Sequence, residues 1–284
     1  MATVYFFNGT QSGTADGSYT DPYDFSSLAT QESAASSGDV FIFKDGTYNL
    51  TNIETFTGGS GGITYKAETT RNVIFNISAI AFNITTTENV TGANSLTVEG
   101  ISFQYDGSQN AHRLILQMAP TALATFNDCD FTGMDSTTKT CIGDYQSSVT
   151  GYALRATFSR CLVTATGAQN DVTTFNYRVV PSGASHALTV NNCTIIHSSD
   201  SGGGDVFGEN CTVKNTIVDG TGASAGSLIV GGTITESNNC YYNIGESADP
   251  ANGIIVDDPQ FVDPTNGDYR LRPSSPCINA GTAS

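Results

Sequence analysis

Five eight-residue segments of this chain align without gaps: "LTVEGISF" (96–103), "ATFNDCDF" (124–131), "ATFSRCLV" (156–163), "LTVNNCTI" (188–195) and "CTVKNTIV" (211–218). Their starts are 28, 32, 32 and 23 residues apart, and a looser copy, "GTITESNNCYY" (232–242), needs an insertion. Self-similarity at such a period is the mark of a solenoid. A repeat of this size cannot enclose its own apolar face, but stacked repeats bury a continuous core.

Four columns of the alignment are small or apolar. They are Leu96, Ala124, Ala156, Leu188, Cys211; Val98, Phe126, Phe158, Val190, Val213; Ile101, Cys129, Cys161, Cys193, Thr216; and Phe103, Phe131, Val163, Ile195, Val218. Each half of the segment alternates with period two and so reads as a short strand. Two polar residues between the halves, such as Asn127-Asp128 and Ser159-Arg160, break the phase by one and read as a corner. The expected coil is strand, two-residue corner, strand, with equivalent residues about 4.8 Å apart in neighbouring coils. Cys129, Cys161 and Cys193 then stack inward as small buried hydrophobes.

Helical periodicity is nearly confined to 21–39, where Asp24 or Ser26 would cap a short helix covering the open end of the stack. At the other end, 257–282 holds four of the eight prolines and has irregular apolar spacing. The stretch "SGDVFIFKDGTYNL" (37–50) resembles the opening coil of right-handed parallel β-helix proteins of the pectate-lyase-like superfamily. The segment with Pro259-Gln-Phe261, Gly267-Asp-Tyr269 and Ser275-Pro-Cys-Ile278 resembles their closing tail. The resemblance implies an all-β fold, a right-handed parallel β-helix built as one solenoid. It would be a single domain over 1–284, with an N-terminal cap over 1–36 that carries a short helix, coils over 37–245 and a closing segment over 246–284.

Eleven Lys and Arg against 27 Asp and Glu give a net charge of −16. Repulsion then opposes nucleic acid as a partner. A polyanionic glycan would need a local basic patch. No apolar run approaches membrane-spanning length, so membrane insertion is not expected. The start "MATVYFFNGT" has neither a basic n-region nor an apolar h-region, so synthesis in a cytoplasm without a standard signal is expected. Seven scattered Cys include no CxxC, so neither a structural metal nor a cofactor is expected.

In the lyases that the opening stretch resembles, a Lys or Arg acts as base on an outer groove. Their motifs do not match here, so no residue role carries over. The candidate bases are few: Lys66, Arg71, His112, Arg113, Lys139, Arg155, Arg160, Arg178, His186 and His197. Arg160 stands in the corner column beside Asp128, where an ion pair across one coil step accounts for it. Arg113, Arg155, Tyr177 and Arg178 are the residues expected to matter if the chain cleaves a polysaccharide. Tyr145 and Tyr177 fall at the same offset after Cys129 and Cys161 and would stack, either as a sugar platform or as core wall. Phe175 and Phe207 share a column and favour the wall.

The second position of all five segments is Thr (97, 125, 157, 189, 212). With Ser102, Asp130, Leu162, Thr194 and Ile217 on the next strand, this outward column is expected to serve self-association. An acidic solenoid rich in Gly, Ser, Thr and Asn looks like a phage virion protein, a capsid decoration protein or a tail spike or fibre. The leading expectation is a non-catalytic virion surface protein, homotrimeric, docked on capsid or tail proteins and able to hold surface glycans. The alternative is a polysaccharide lyase or depolymerase working on an outer groove.

Overall fold

The structure is a computed structural model that describes residues 3–9, 15–59, 62–79, 81–85, 95–106, 113–118, 122–135, 140–144, 155–167, 173–177, 187–199, 206–208, 210–220, 228, 233–244, 249 and 251–282. The chain winds through three parallel sheets, of ten, eight and five strands. The first contains Leu96–Glu99, Ala124–Asn127, Arg155–Ser159, Ala187–Asn191 and Cys211–Lys214, and the second contains Ile101–Tyr105, Asp130–Asp135, Leu162–Gly167, Thr194–Ser199 and Ile217–Asp219. Register follows the sequence columns: Phe126 pairs with Val98 and Phe158, and Phe131 with Phe103 and Val163. Every residue of the four inward columns is buried. Their rings stack coil on coil, with Phe126 and Phe158 centroids 4.6 Å apart and Phe103 and Phe131 5.0 Å apart. The chain is therefore a parallel β-helix.

The corner between the first two sheets is made by one residue. Glu99, Asn127, Ser159, Asn191 and Lys214 stay in the strand, and the residue after each is left-handed, with φ from 50° to 69° at Gly100, Asp128, Arg160, Asn192 and Asn215. Asn238 (φ 55°) extends this column toward the C-terminus, while the preceding coil turns over residues 68–72, with Arg71 left-handed (φ 67°) two residues before Val73. A single left-handed residue turns the chain and moves the alternation by one, so the residue before it faces out and the residue after it faces in.

The inward cysteine column does more than fill space. The N–H of Cys161 donates to Cys193 Sγ (3.4 Å), that of Cys193 to Thr216 Oγ1 (3.4 Å) and that of Thr216 to Asn239 Oδ1 (3.0 Å). A buried N–H just past a corner must find an acceptor. A small side chain carrying S or O in the next coil supplies one, which is why Cys, Thr and Asn share this column.

Two strands per coil understate the fold. A third sheet is formed by Thr55–Phe56, Ala81–Thr85, Arg113–Gln117, Thr140–Asp144 and Thr173–Tyr177. Phe175 bridges to Phe207 as their shared column requires, with stacked rings 5.5 Å apart. Tyr177, however, pairs with Asp144 rather than Tyr145. Register has slipped by one between the second and third sheets, so the constant offset from the Cys column does not apply there. A bulge between Phe131 and Met134 moves the register the other way, and the connection from Thr166 to Thr173, longer than that from Asp135 to Thr140, more than reverses it. Gly133 lies in the bulge at φ 71°, where a Cβ would stand 2.3 Å from the carbonyl oxygen of Tyr105.

At the N-terminal end, Val4–Asn8 pairs with Val40–Phe43 and with Tyr23–Asp24, so 1–36 adds strands to the first sheet as well as the cap. Asp24 accepts from Ser26 N (2.8 Å) and starts a 3-10 turn (Phe25–Ser27) that leads into helix α1 (Leu28–Ala34). The closing segment forms an antiparallel pair, Phe261–Asp263 with Asp268–Leu271, and turns back along the corner column. Asn215 binds Thr282 through both amide atoms (2.9 and 3.1 Å), and Asn238 Nδ2 donates to the carbonyl of Ala280 (3.2 Å). The outward strip expected to be open for self-association is thus partly occupied. Leu162 and Thr194 line one cleft with Gly267–Arg270, and Ile217 lines another with Leu271 and Gly281. The chain's own tail covers these side chains.

Candidate functional site

Two of the left-handed residues that turn the chain from the first sheet to the second are arginine, Arg160 in the corner column and Arg71 in the longer turn before Val73. Left-handed backbone suits Gly, Asn and Asp and costs other residues about 1–2 kcal/mol. A side chain kept at such a position despite the cost is a pointer to function. Both guanidinium groups line one cleft of about 320 Å³, between the second sheet and the closing segment. Asp130, Tyr269 and Arg270 complete its reactive wall.

The cleft is a set of pairs. Arg160 holds Asp128 with two bonds (2.8 and 2.7 Å), the ion pair across one coil step expected from the column. Arg71 reaches Asp130 through Nε (3.1 Å) and the carbonyl of Arg160 through Nη2 (2.9 Å). Arg270 holds Asp268 with two bonds (2.8 and 2.6 Å). The bonds of Arg160 and Arg270 use Nε and Nη2, which leaves the Nη1 group of each outside them. Side-chain exposure is 47% for Arg71, 54% for Arg160 and 82% for Arg270, so all three remain open to a ligand.

The acids respond in opposite directions. The Arg160 guanidinium holds the Asp128 carboxyl below the usual carboxylate range. Asp130 is pushed up to about 6 by burial, against the pull of Arg71. Asp219, at the next cleft along the tail, is also pushed up to about 6 by burial, while the Asn243 amide bound to it works the other way. That cleft, of about 530 Å³, also holds Tyr242, Asp258 and Arg272.

The residues singled out in the sequence fall elsewhere. Arg113 opens a strand of the third sheet, and Arg155 opens one of the first, where its Nε donates to the carbonyl of Ala122 (3.1 Å). They lie on different sheets, and neither lines the cleft above. Tyr145 and Arg178 lie outside the described residues, as do His112, Lys139 and His186; Tyr177 ends a third-sheet strand. His197 is buried beside Thr174 (2.9 Å). Among the described residues, no three His, Cys, Asp or Glu side chains come together as a metal site. No helix among them is long and apolar enough to cross a membrane.

Sequence reasoning passed over Arg71, Asp130 and Arg270 as a group. Arg71 falls one residue before the position that matches Arg160, which is Asn72 in the register of Val73 with Ile101, so the corner column does not single it out.

No protein-family model matches the chain, and no curated protein matches it in sequence. Among solved structures, a rhamnogalacturonan lyase is similar over 85% of this chain and 68% of its own, with 15% identity and a TM-score of 0.45. The pectate lyase Pel9A is similar over 99% of this chain and 92% of its own, with 14% identity and a TM-score of 0.48. The fold rests on the chain's own three parallel sheets, whose winding makes it a parallel β-helix.

Proposed function

We propose that this chain is a non-catalytic, glycan-binding β-helix of a virion surface, and that it holds acidic glycans in the cleft of Arg71, Arg160, Tyr269 and Arg270. The observation that carries the reading is the convergence of three open guanidinium groups on one tyrosine-bearing cleft in a chain of net charge −16. Guanidinium edges suit carboxylates, and a tyrosine face suits the apolar face of a sugar ring. Each guanidinium also keeps a carboxylate partner, which favours holding a ligand over taking a proton from it. The virion setting is supported by composition and by the acidic solenoid.

Calorimetry with uronate-rich and neutral oligosaccharides tests this. Uronate-rich chains are expected to bind, with affinity falling as salt rises. Arg160→Ala and Arg270→Ala are each expected to weaken binding about tenfold, near 1.4 kcal/mol, while Arg155→Ala leaves it unchanged. Release of reducing ends or of unsaturated products absorbing in the ultraviolet would replace this reading with the lyase or depolymerase alternative. Equal binding of neutral chains by all variants would remove the cleft from it.

The homotrimer is proposed with a narrower face. The outward threonine column is longer than five: Thr64, Thr97, Thr125, Thr157, Thr189, Thr212 and Thr235 stand in register on the first sheet. With the neighbouring strip under the tail, this column is the part left for contact between copies. Native mass measurement is expected to show a trimer that Thr157→Arg dissociates. A wild-type monomer at micromolar concentration would leave docking on capsid or tail proteins as the proposed use of the face.

A further inference from the structure

Cys240 and Cys277 come from opposite sides of the junction between the solenoid and its closing segment. Cys240 begins the last strand of the second sheet (Cys240–Tyr242) and is buried. Cys277 lies in the tail and is partly exposed. Both line a cleft of about 280 Å³ with Asn239, Ile255 and Leu271. The two thiols act on each other's titration, and Cys240 Sγ donates to the carbonyl of Asp257 (3.4 Å).

We propose that Cys240 and Cys277 form a disulfide in an oxidising medium, which locks the closing segment onto the last coil. Both are free thiols in the structure. The contact gives the two sulfurs different roles. The neighbouring Cys240 thiol holds the Cys277 thiol below the usual range, while Cys277 and burial push Cys240 up. Cys277, the more acidic and more accessible thiol, is the one to meet an oxidant.

With oxidised glutathione as the oxidant, the Cys277 thiolate attacks one sulfur, breaks the reagent's S–S bond and releases one glutathione thiolate. Capping Cys277 removes the thiolate charge that raised Cys240. Cys240 loses its proton and attacks the Cys277 sulfur, forming the protein disulfide and releasing the second glutathione thiolate. The two protein protons end on the two glutathione thiols, and the glutathione disulfide is the group reduced. The other thiols are placed differently. Cys129, Cys161 and Cys193 are buried in the core column, where burial pushes Cys129 and Cys193 well up, and Cys211 is pushed up to about 12 by burial.

The ring closed by this bond includes the antiparallel pair that carries Tyr269 and Arg270. The lock would therefore fix one wall of the cleft above, but it does not depend on what that cleft binds.

The test is to equilibrate the full chain in glutathione buffers of graded redox ratio, alkylate the remaining thiols and record intact mass and peptide map. The expected result is loss of two hydrogens, one linked peptide pair joining Cys240 to Cys277, and a rise in Tm of about 5 °C on oxidation. Cys277→Ala should abolish both the mass change and the rise while leaving the reduced protein's Tm within about 2 °C of the wild type's. Two free, alkylated thiols at 240 and 277 in the most oxidising buffer would overturn the proposal. So would a linkage of either cysteine to any other.

Discussion

Cys161→Asp is expected to destabilise the fold by about 3–5 kcal/mol at neutral pH, because it places an uncompensated charge in the core. Cys161 is 2% exposed. Its sulfur faces the carbonyl oxygens of Ser159 (3.4 Å) and Phe126 (3.6 Å), which are acceptors and cannot solvate a carboxylate. An aspartate there must fold protonated, so its pKa is raised above the unfolded value near 3.9. A raised folded value means the cost is smallest below the unfolded pKa and grows as pH rises toward the folded one. The denaturant midpoint should therefore fall steeply between pH 4 and 7 in this variant relative to wild type. Cys161→Thr is the control. Thr216 already fills the column, with Oγ1 accepting from Cys193 N (3.4 Å) and donating to the carbonyl of Lys214 (2.8 Å). The threonine variant is expected to stay within about 1 kcal/mol of wild type. Equal midpoints for wild type and the aspartate variant would refute the inward assignment of the column and the register built on it.

The second large effect is expected at the N-terminal cap. Glu32 of α1 is 2% exposed, and its carboxylate accepts from Thr57 N (3.2 Å), from Thr57 Oγ1 (2.9 Å) and from the Tyr65 hydroxyl. Tyr65 in turn accepts from Gly58 N (3.0 Å). One acid on the cap thus ties the helix to the turn beneath it. Glu32→Ala leaves these buried donors without their acceptor and should cost about 2–4 kcal/mol.

Burial pushes the Glu32 carboxyl above its usual range, while the bonds from Tyr65 and Thr57 work against it. Because the folded value lies above the unfolded one, the native state holds the proton more tightly. This contribution is complete below the unfolded pKa and is lost as pH rises through the folded pKa. The advantage of wild type over Glu32→Gln is accordingly expected to shrink from pH 4 upward in thermal melts. An advantage that grows with pH would mean that the carboxylate, rather than the acid, is the form the cap prefers.

Much of the fold could be read because its information is local. Period-two alternation decides which side chains face inward, and parallel stacking places each beside its counterpart one coil away. Leu96, Phe126, Cys161 and Val218 were assignable on that basis, and so was the Arg160–Asp128 pair, which spans a single coil step. The third sheet was harder. Connections of unequal length separate it from the second sheet and outweigh the opposite shift at the bulge beside Gly133, so Tyr145 and Tyr177 could not be aligned by counting from the cysteines.

The candidate site was less legible still, because its contacts join residues that no period relates. Arg71 meets the carbonyl of Arg160 across 89 positions, and Asn215 meets Thr282 across 67. The coil, the inward columns and the acidic surface follow from the order of residues alone, since alternation and charge are properties of the chain itself. Where the irregular tail lies, which outward residues it covers and which arginines it gathers around Tyr269 were decided only by the tertiary structure. The tail has no repeat of its own, and only the shape and hydrogen-bonding groups of the finished solenoid select its resting place.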